Sequence, residues 1–303
     1  MRLQPTFPLA LFLACLQALP SSAARDVHTL SRADGSLIHY TLDRPPAHAG
    51  GLILISQGSG CAPGANNASL ATVRAAFPNY AALIVEKIGI APDSAIVDGY
   101  ADCPQEFVTQ YTLSQRVDDY RSVLNHLRSQ SNMPAADLVL FGGSEGGLAV
   151  AMLAAQLQPR AIIMLSSSSG TTFAETVRRT VPPEGHATID AGFAAARANP
   201  DSDELFAGST YRFWADILDV KAVDYMLASS SPILLIQGGL DTSSPLASAR
   251  LAADAFAAEG RCTLTYWEFP SLDHGMKMPD GRSRMAEIAA LAAQWVEAPS
   301  PAC

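Results

Sequence analysis

Charge is scarce in this chain. Asp, Glu, Lys and Arg make up 16% of its 303 residues, and aromatic residues 7%. With 49% hydrophobic residues, that scarcity excludes wholesale disorder, because there is enough apolar surface to build a sizeable core. Positive charge is the rarer sign: 20 Lys and Arg stand against 29 Asp and Glu, for a formal net charge of −9. No basic stripe is present, so a nucleic-acid partner is excluded. The apolar run from Phe7 to Leu19 is too short for a bilayer-spanning helix, so no stable membrane insertion is expected. H-E-x-x-H and zinc-type Cys/His spacings are missing as well, so neither a metal nor an organic cofactor is expected.

The first residues have the layout of a secretory signal. Arg2 supplies the charge, Phe7–Leu19 the apolar run, and Pro20-Ser21-Ser22-Ala23-Ala24 the small residues for cleavage. Residues 1–24 are therefore read as a signal peptide, and the mature protein as secreted or periplasmic. If Cys15 leaves with the signal, Cys61, Cys103, Cys262 and Cys303 remain. An even count in an oxidising compartment points to disulfides. Three pairings are open, and Cys61–Cys103 with Cys262–Cys303 is favoured, because Cys61 and Cys103 fall in loops after strands of one sheet edge. Asn67-Ala68-Ser69 matches a glycosylation sequon.

Along the remainder, short apolar runs alternate with helical patterns. Val27–Leu30 and Leu37–Leu42 flank Asp34-Gly35, a hairpin signal. Buried-type strands are expected at Gly51–Ser56, Tyr80–Glu86, Asp137–Phe141, Ala161–Leu165, Pro232–Ile236 and Thr263–Phe269. Helices are expected at Asn67–Ala76, Gln110–Gln130, Leu148–Gln158, Ala247–Ala258 and Arg284–Val296. This alternation predicts an α/β fold, with a mostly parallel central sheet and helices on both faces. Residues 25–303 form one domain, interrupted at about 171–230 by a helical cap insertion carrying Tyr211, Phe213, Trp214 and Tyr225.

The chemistry concentrates at Gly142-Gly143-Ser144-Glu145-Gly146, a G-x-S-x-G pattern lying between a predicted strand and a predicted helix. A nucleophile there sits on a very tight turn with positive φ, flanked by positions that tolerate little side chain. The turn also places its hydroxyl at a helix N-terminus, where negative charge is favoured. A serine needs a base, and the base an orienter. Asp241, past the strand ending at Ile236, and His274, past the strand ending at Phe269, follow Ser144 in the required order. All three come from the C-terminal ends of strands, where open α/β sheets carry their sites. His28, His39, His48, His126 and His186 fall in the first hairpin, a Pro-rich connection, a helix and the cap.

An oxyanion hole needs two backbone donors. The N–H of Glu145, directly after the nucleophile, is one. The N–H of Ser59, in the loop Gln57-Gly58-Ser59-Gly60, is the preferred second, with Gly58 behind it. Gly58 and Trp214 are expected substrate contacts. Gly58-Ser59-Gly60 after a strand also evokes a dinucleotide loop, but the fingerprint spacing is not met.

Together, Gly-Gly-Ser144-Glu-Gly, Gly239-Leu-Asp241 and Asp-His274-Gly resemble the α/β-hydrolase superfamily over roughly residues 37–297. The elbow and the cap placement are similar to prolyl-oligopeptidase-like and dienelactone-hydrolase-like members. One departure is Gln57-Gly58, where the superfamily usually has His-Gly in the oxyanion loop. The resemblance implies a serine hydrolase acting by acyl transfer on a carboxylic ester or another small acyl or short peptide substrate. Its alternatives are a prolyl-oligopeptidase-like peptidase, a thioesterase, and a non-catalytic binding protein of the same fold.

Overall fold

The computed structural model describes residues 24–45, 49–130 and 137–299. The expected hairpin is β1 (Ala24–Ser31) and β2 (Leu37–Arg44), paired antiparallel, with Asp34 folding back to accept the Ser36 N–H at 2.9 Å. Next come β3 (Gly51–Ser56), α1 (Ala68–Ala76) and β4 (Tyr80–Val85). Asn67, the sequon residue, caps α1: its side chain accepts the N–H groups of Ser69 and Leu70, two of the donors a helix start leaves unpaired. A loop then leads to a short α2 (Gln105–Gln110), not anticipated as a separate element, and to α3 (Leu113–Gln130).

β5 (Leu138–Gly143) runs directly into α4 (Glu145–Leu157), and β6 (Ala161–Leu165) follows. Residues 171–230 hold α5 (Phe173–Thr180), α6 (His186–Ala198), a two-strand ribbon of β7 (Leu205–Phe206) and β8 (Ser209–Thr210), α7 (Tyr211–Ile217) and α8 (Ala222–Ala228). The chain returns through β9 (Ile233–Gly238), α9 (Leu246–Ala258), β10 (Leu264–Phe269) and α10 (Met285–Glu297).

Eight strands form one sheet in the order β1-β2-β4-β3-β5-β6-β9-β10. β2 joins β4 antiparallel, and every later pairing is parallel. Strands buried on both faces need apolar residues at every position, as Ile53, Leu54 and Ile55 of β3 and Leu234, Leu235 and Ile236 of β9 show. One face packs against α1 and α10 through Leu70, Val73, Ile288 and Val296. The other packs against α3, α4 and α9, and its core continues into segment 171–230 through Ile189, Phe193, Trp214 and Ile217. α4 is buried from Glu145 to Ala154, which explains its alanine-rich composition: larger side chains would not fit between the sheet and α8. No helix among the described residues is long and apolar enough to cross a membrane.

The Cys61–Cys103 disulfide is formed, tying the loop after β3 to the turn before α2. Residues 1–23, which hold most of the expected signal, and Cys303, the expected partner of Cys262, lie outside the described residues. The 42-residue separation of Cys61 and Cys103 sets the size of the loop closed in the unfolded chain. A Cys61→Ser, Cys103→Ser variant is expected to lose about 3–4 kcal/mol of stability. Urea unfolding of the variant beside the oxidised protein measures the difference.

Candidate active site

Ser144 sits between β5 and α4 at φ 54° and ψ −126°, a backbone conformation that costs a non-glycine residue on the order of 1–3 kcal/mol. The turn persists because its neighbours leave it no alternative. The Ser144 N–H donates to the Leu165 carbonyl of β6 at 2.9 Å, and the Gly147 N–H returns to the Ser144 carbonyl at 2.9 Å. A Cβ on Gly146 would stand 2.4 Å from the Gln57 carbonyl oxygen, so glycine there lets α4 press against the end of β3.

Asp241 and His274 meet. Asp241 lies past β9 with its side chain fully buried. His274 lies past β10, with its Nδ1 3.0 and 2.9 Å from the two Asp241 oxygens. The Ser243 and Ser244 N–H groups donate to Asp241 Oδ1 at 2.9 and 2.8 Å, and Gln237 Nε2 donates to Oδ2 at 3.0 Å. Burial pushes the Asp241 carboxyl up, but His274, the Ser244 amide and Gln237 outweigh it and hold it below the usual carboxylate range. A carboxylate so anchored fixes one ring nitrogen of His274 and leaves the other uncommitted to Asp241.

Ser144 and His274 together line two cavities. One, of about 170 Å³, is walled by Leu70, Val73, Phe141, Leu165 and Met285, with Gly58 on its rim. The buried Ser166, itself at φ 50°, adds a hydroxyl with no hydrogen-bond partner in the structure. The other, of about 250 Å³, lies between the elbow and α5 and is lined by Ser59, Tyr100, Phe173, Thr176, Val177 and Ser244. A Cβ on Gly58 would stand 3.2 Å from Ser144 Cβ, so the loop after β3 passes directly beside the serine. As the first residue of α4, Glu145 has an N–H without an intrahelical acceptor. The structure does not bring Trp214 to the site. It is buried inside segment 171–230 against Phe173, Phe193, Phe206 and Phe213, and its indole N–H donates to the Phe206 carbonyl at 2.7 Å. An aromatic residue in an insertion reads as a ligand contact, yet it is needed first as the core of the insertion itself.

Sequence reasoning missed the groups behind the elbow. The Glu145 side chain is buried, and its Oε1 accepts from Lys87 Nζ and Arg116 Nη1, both at 3.2 Å, and from Tyr111 Oη at 2.5 Å. Burial pushes this carboxyl up, and the two cations and Tyr111 pull it further down, so it stays ionised. Burial lowers the Lys87 ammonium to about 8 against the opposing pull of Glu145. The available signals were small: a Glu86-Lys87 pair closing an otherwise apolar strand, and Arg116 one turn before Tyr120 on the buried stripe of α3.

This fold and family place the chain among serine hydrolases. It belongs to the prolyl oligopeptidase family, which matches residues 106–298. Among solved structures, Est1E from Butyrivibrio proteoclasticus has a TM-score of 0.57 at 15% identity, covering 91% of this chain and 98% of that one. Alpha/beta hydrolase domain-containing protein 10 from mouse has a TM-score of 0.58 at 14% identity, covering 91% and 100%. A puromycin-hydrolyzing peptidase from Mycobacterium tuberculosis has a TM-score of 0.63 at 16% identity, covering 93% of this chain and 39% of that one. At such low identities it is the structural likeness that establishes the α/β-hydrolase fold, and the fold alone. No curated protein matches the sequence.

Removing the charge of Glu145 breaks both buried ion pairs and leaves Lys87 and Arg116 with only the less intimate Glu86 carboxylate to offset them. Glu145→Gln is expected to cost about 3–5 kcal/mol of stability, read from the urea midpoint at an unchanged slope.

Proposed function

We propose that this protein hydrolyses a small, uncharged carboxylic ester through an acyl-enzyme, with Ser144 as nucleophile, His274 as base and Asp241 as orienter. The observation that carries the reading is the strained Ser144 turn lining the same two cavities as a histidine already held by a buried carboxylate. In this scheme His274 takes the Ser144 proton as the hydroxyl attacks the acyl carbon. The N–H groups of Ser59 and Glu145 hold the oxyanion. His274 then protonates the leaving alcohol, and water releases the acyl group by the same steps. Segment 171–230 acts as a cap, since α5 walls the larger cavity.

The lining supports the substrate class. Apart from His274, the charged group among the lining residues is Glu145, and its carboxylate is already ion-paired. A charged acyl or alcohol group would lose its hydration there without gaining a partner. Ser166 offers one hydrogen bond to a compact group in the apolar cavity. A second reading, a peptidase, is favoured by the prolyl oligopeptidase family match. An exported location belongs to the proposal too, supported by the Cys61–Cys103 bridge, since such bonds persist in oxidising compartments.

The test is covalent labelling with a fluorophosphonate, together with turnover of p-nitrophenyl esters, thioesters and peptide amides. Ser144→Ala is expected to lose both labelling and turnover, and Asp241→Asn to lower kcat on the order of 10⁴-fold. Full esterase activity in the alanine variant overturns the nucleophile assignment. Preference for peptide amides over every ester replaces the esterase reading with the peptidase one.

A further inference from the structure

We infer that Lys87 and Ser167 are positioning residues of the oxyanion hole, each holding the far edge of one of its two donor peptides. The inference rests on the proposed catalytic reading and extends it to side chains outside the triad. A peptide unit is planar and trans, so its N–H and its preceding C=O point in opposite directions. The Ser59 N–H therefore shares a plane with the Gly58 carbonyl, and the Glu145 N–H with the Ser144 carbonyl. Whatever grips those two oxygens fixes where the two N–H groups aim.

Both oxygens are gripped. Lys87 Nζ donates to the Gly58 carbonyl at 2.8 Å, to the Gly60 carbonyl at 2.8 Å and to Glu145 Oε1 at 3.2 Å. Arg116 Nη2 donates to the Gln57 carbonyl at 2.7 Å, so three of the four carbonyls of the loop 57–60 end on two buried cations. On the other side, Ser167 Oγ donates to the Ser144 carbonyl at 3.0 Å, closer than its other acceptor, Leu165 O at 3.4 Å. Gly147 makes room for that hydroxyl: a Cβ at position 147 would stand 1.7 Å from Ser167 Oγ. The second glycine after the nucleophile is thus explained by the Ser167 contact.

The two grips have an electronic consequence as well. A donor on a carbonyl oxygen polarises the amide and strengthens the N–H on its opposite edge, most of all when that donor is charged and water is excluded. Glu145 completes the device. Its carboxylate makes the burial of Lys87 tolerable, while its own backbone N–H is one of the two donors.

Ser167→Ala, Gly147→Ala and Lys87→Met are compared with wild type on one p-nitrophenyl ester, with affinity for a boronic acid that forms a tetrahedral adduct at Ser144. Removing an oxyanion donor outright costs on the order of 10²–10³-fold in kcat; misaiming one is expected to cost roughly 10–100-fold, with KM moving less than about threefold. Boronic acid affinity should fall in parallel with kcat/KM, because only the tetrahedral species uses the hole. Ser167→Ala removes a single oxygen, so it answers the question even if Lys87→Met fails to fold. Unchanged kcat and unchanged boronic acid affinity in folded Ser167→Ala and Gly147→Ala, with Ser144→Ala inactive, overturn this inference and leave the triad standing. An active Ser144→Ala removes the reading beneath it.

Discussion

The tight turn at Ser144 is the constraint on which the rest of the structure depends. A residue held at positive φ between a strand and a helix returns to ordinary geometry unless its surroundings forbid it. Here the surroundings do so from every side. β5 is central in the sheet, α4 is buried along most of its length, and Gly146 lets the end of β3 pack where a side chain would stand. The packing at Gly146 brings the Gln57–Gly60 loop beside the serine, and Glu145, as the first residue of α4, has an N–H without an intrahelical acceptor at the same turn.

Keeping that loop in place calls for buried charge, an expensive material. Lys87, Arg116 and Glu145 each lose hydration on folding, and an isolated one of them would destabilise the protein. The arrangement is tolerable because a single carboxylate oxygen serves two cations and a tyrosine, while the cations use their remaining donors on backbone carbonyls. Apolar side chains would fill the same space at lower cost, but they have no donors for the Gln57, Gly58 and Gly60 carbonyls. The Gln57 carbonyl would then be buried without a partner, and the half-buried Gly58 and Gly60 carbonyls would lose theirs. Charge is retained here because the loop carries carbonyls that point inward.

This also shows where reading a sequence works and where it stops. The sheet was legible because strands buried on both faces are runs of Ile, Leu and Val, and the helices because their apolar residues recur with helical period. The elbow was legible because glycine flanking a serine between a strand and a helix has few other uses. Lys87 was not, because a lysine at a strand end ordinarily reaches solvent. Only the return of α3 over β4, with Glu145 at the start of α4 and the Gly58 and Gly60 carbonyls within its reach, turns it inward. Trp214 was misplaced for the converse reason. Composition identifies a large aromatic side chain but not which side of the insertion it faces, and segment 171–230 needed its own core before it had any to spare for a ligand.

Segment 171–230 is built as a fixed wall at the point where it meets the site. Its entry is tied to α9, where Thr171 Oγ1 bonds Ser248 Oγ at 2.7 Å and the Gly170 N–H donates to the Ser248 carbonyl at 3.0 Å. Two residues later Thr172 and Glu175 form a reciprocal cap on α5. The Phe173 and Ala174 N–H groups donate to the carbonyls of Val220 and Leu218, joining α5 to the chain between α7 and α8. α5 thus begins its course over the larger cavity with its first turn bonded on both flanks, while Thr176 and Val177 line that cavity. A helix fixed at its first turn presents these side chains at one height above Ser144. On the proposed reading, size selection at the larger cavity then follows from which residues α5 carries, and substitution along α5 alters what fits without disturbing the strained turn beneath it.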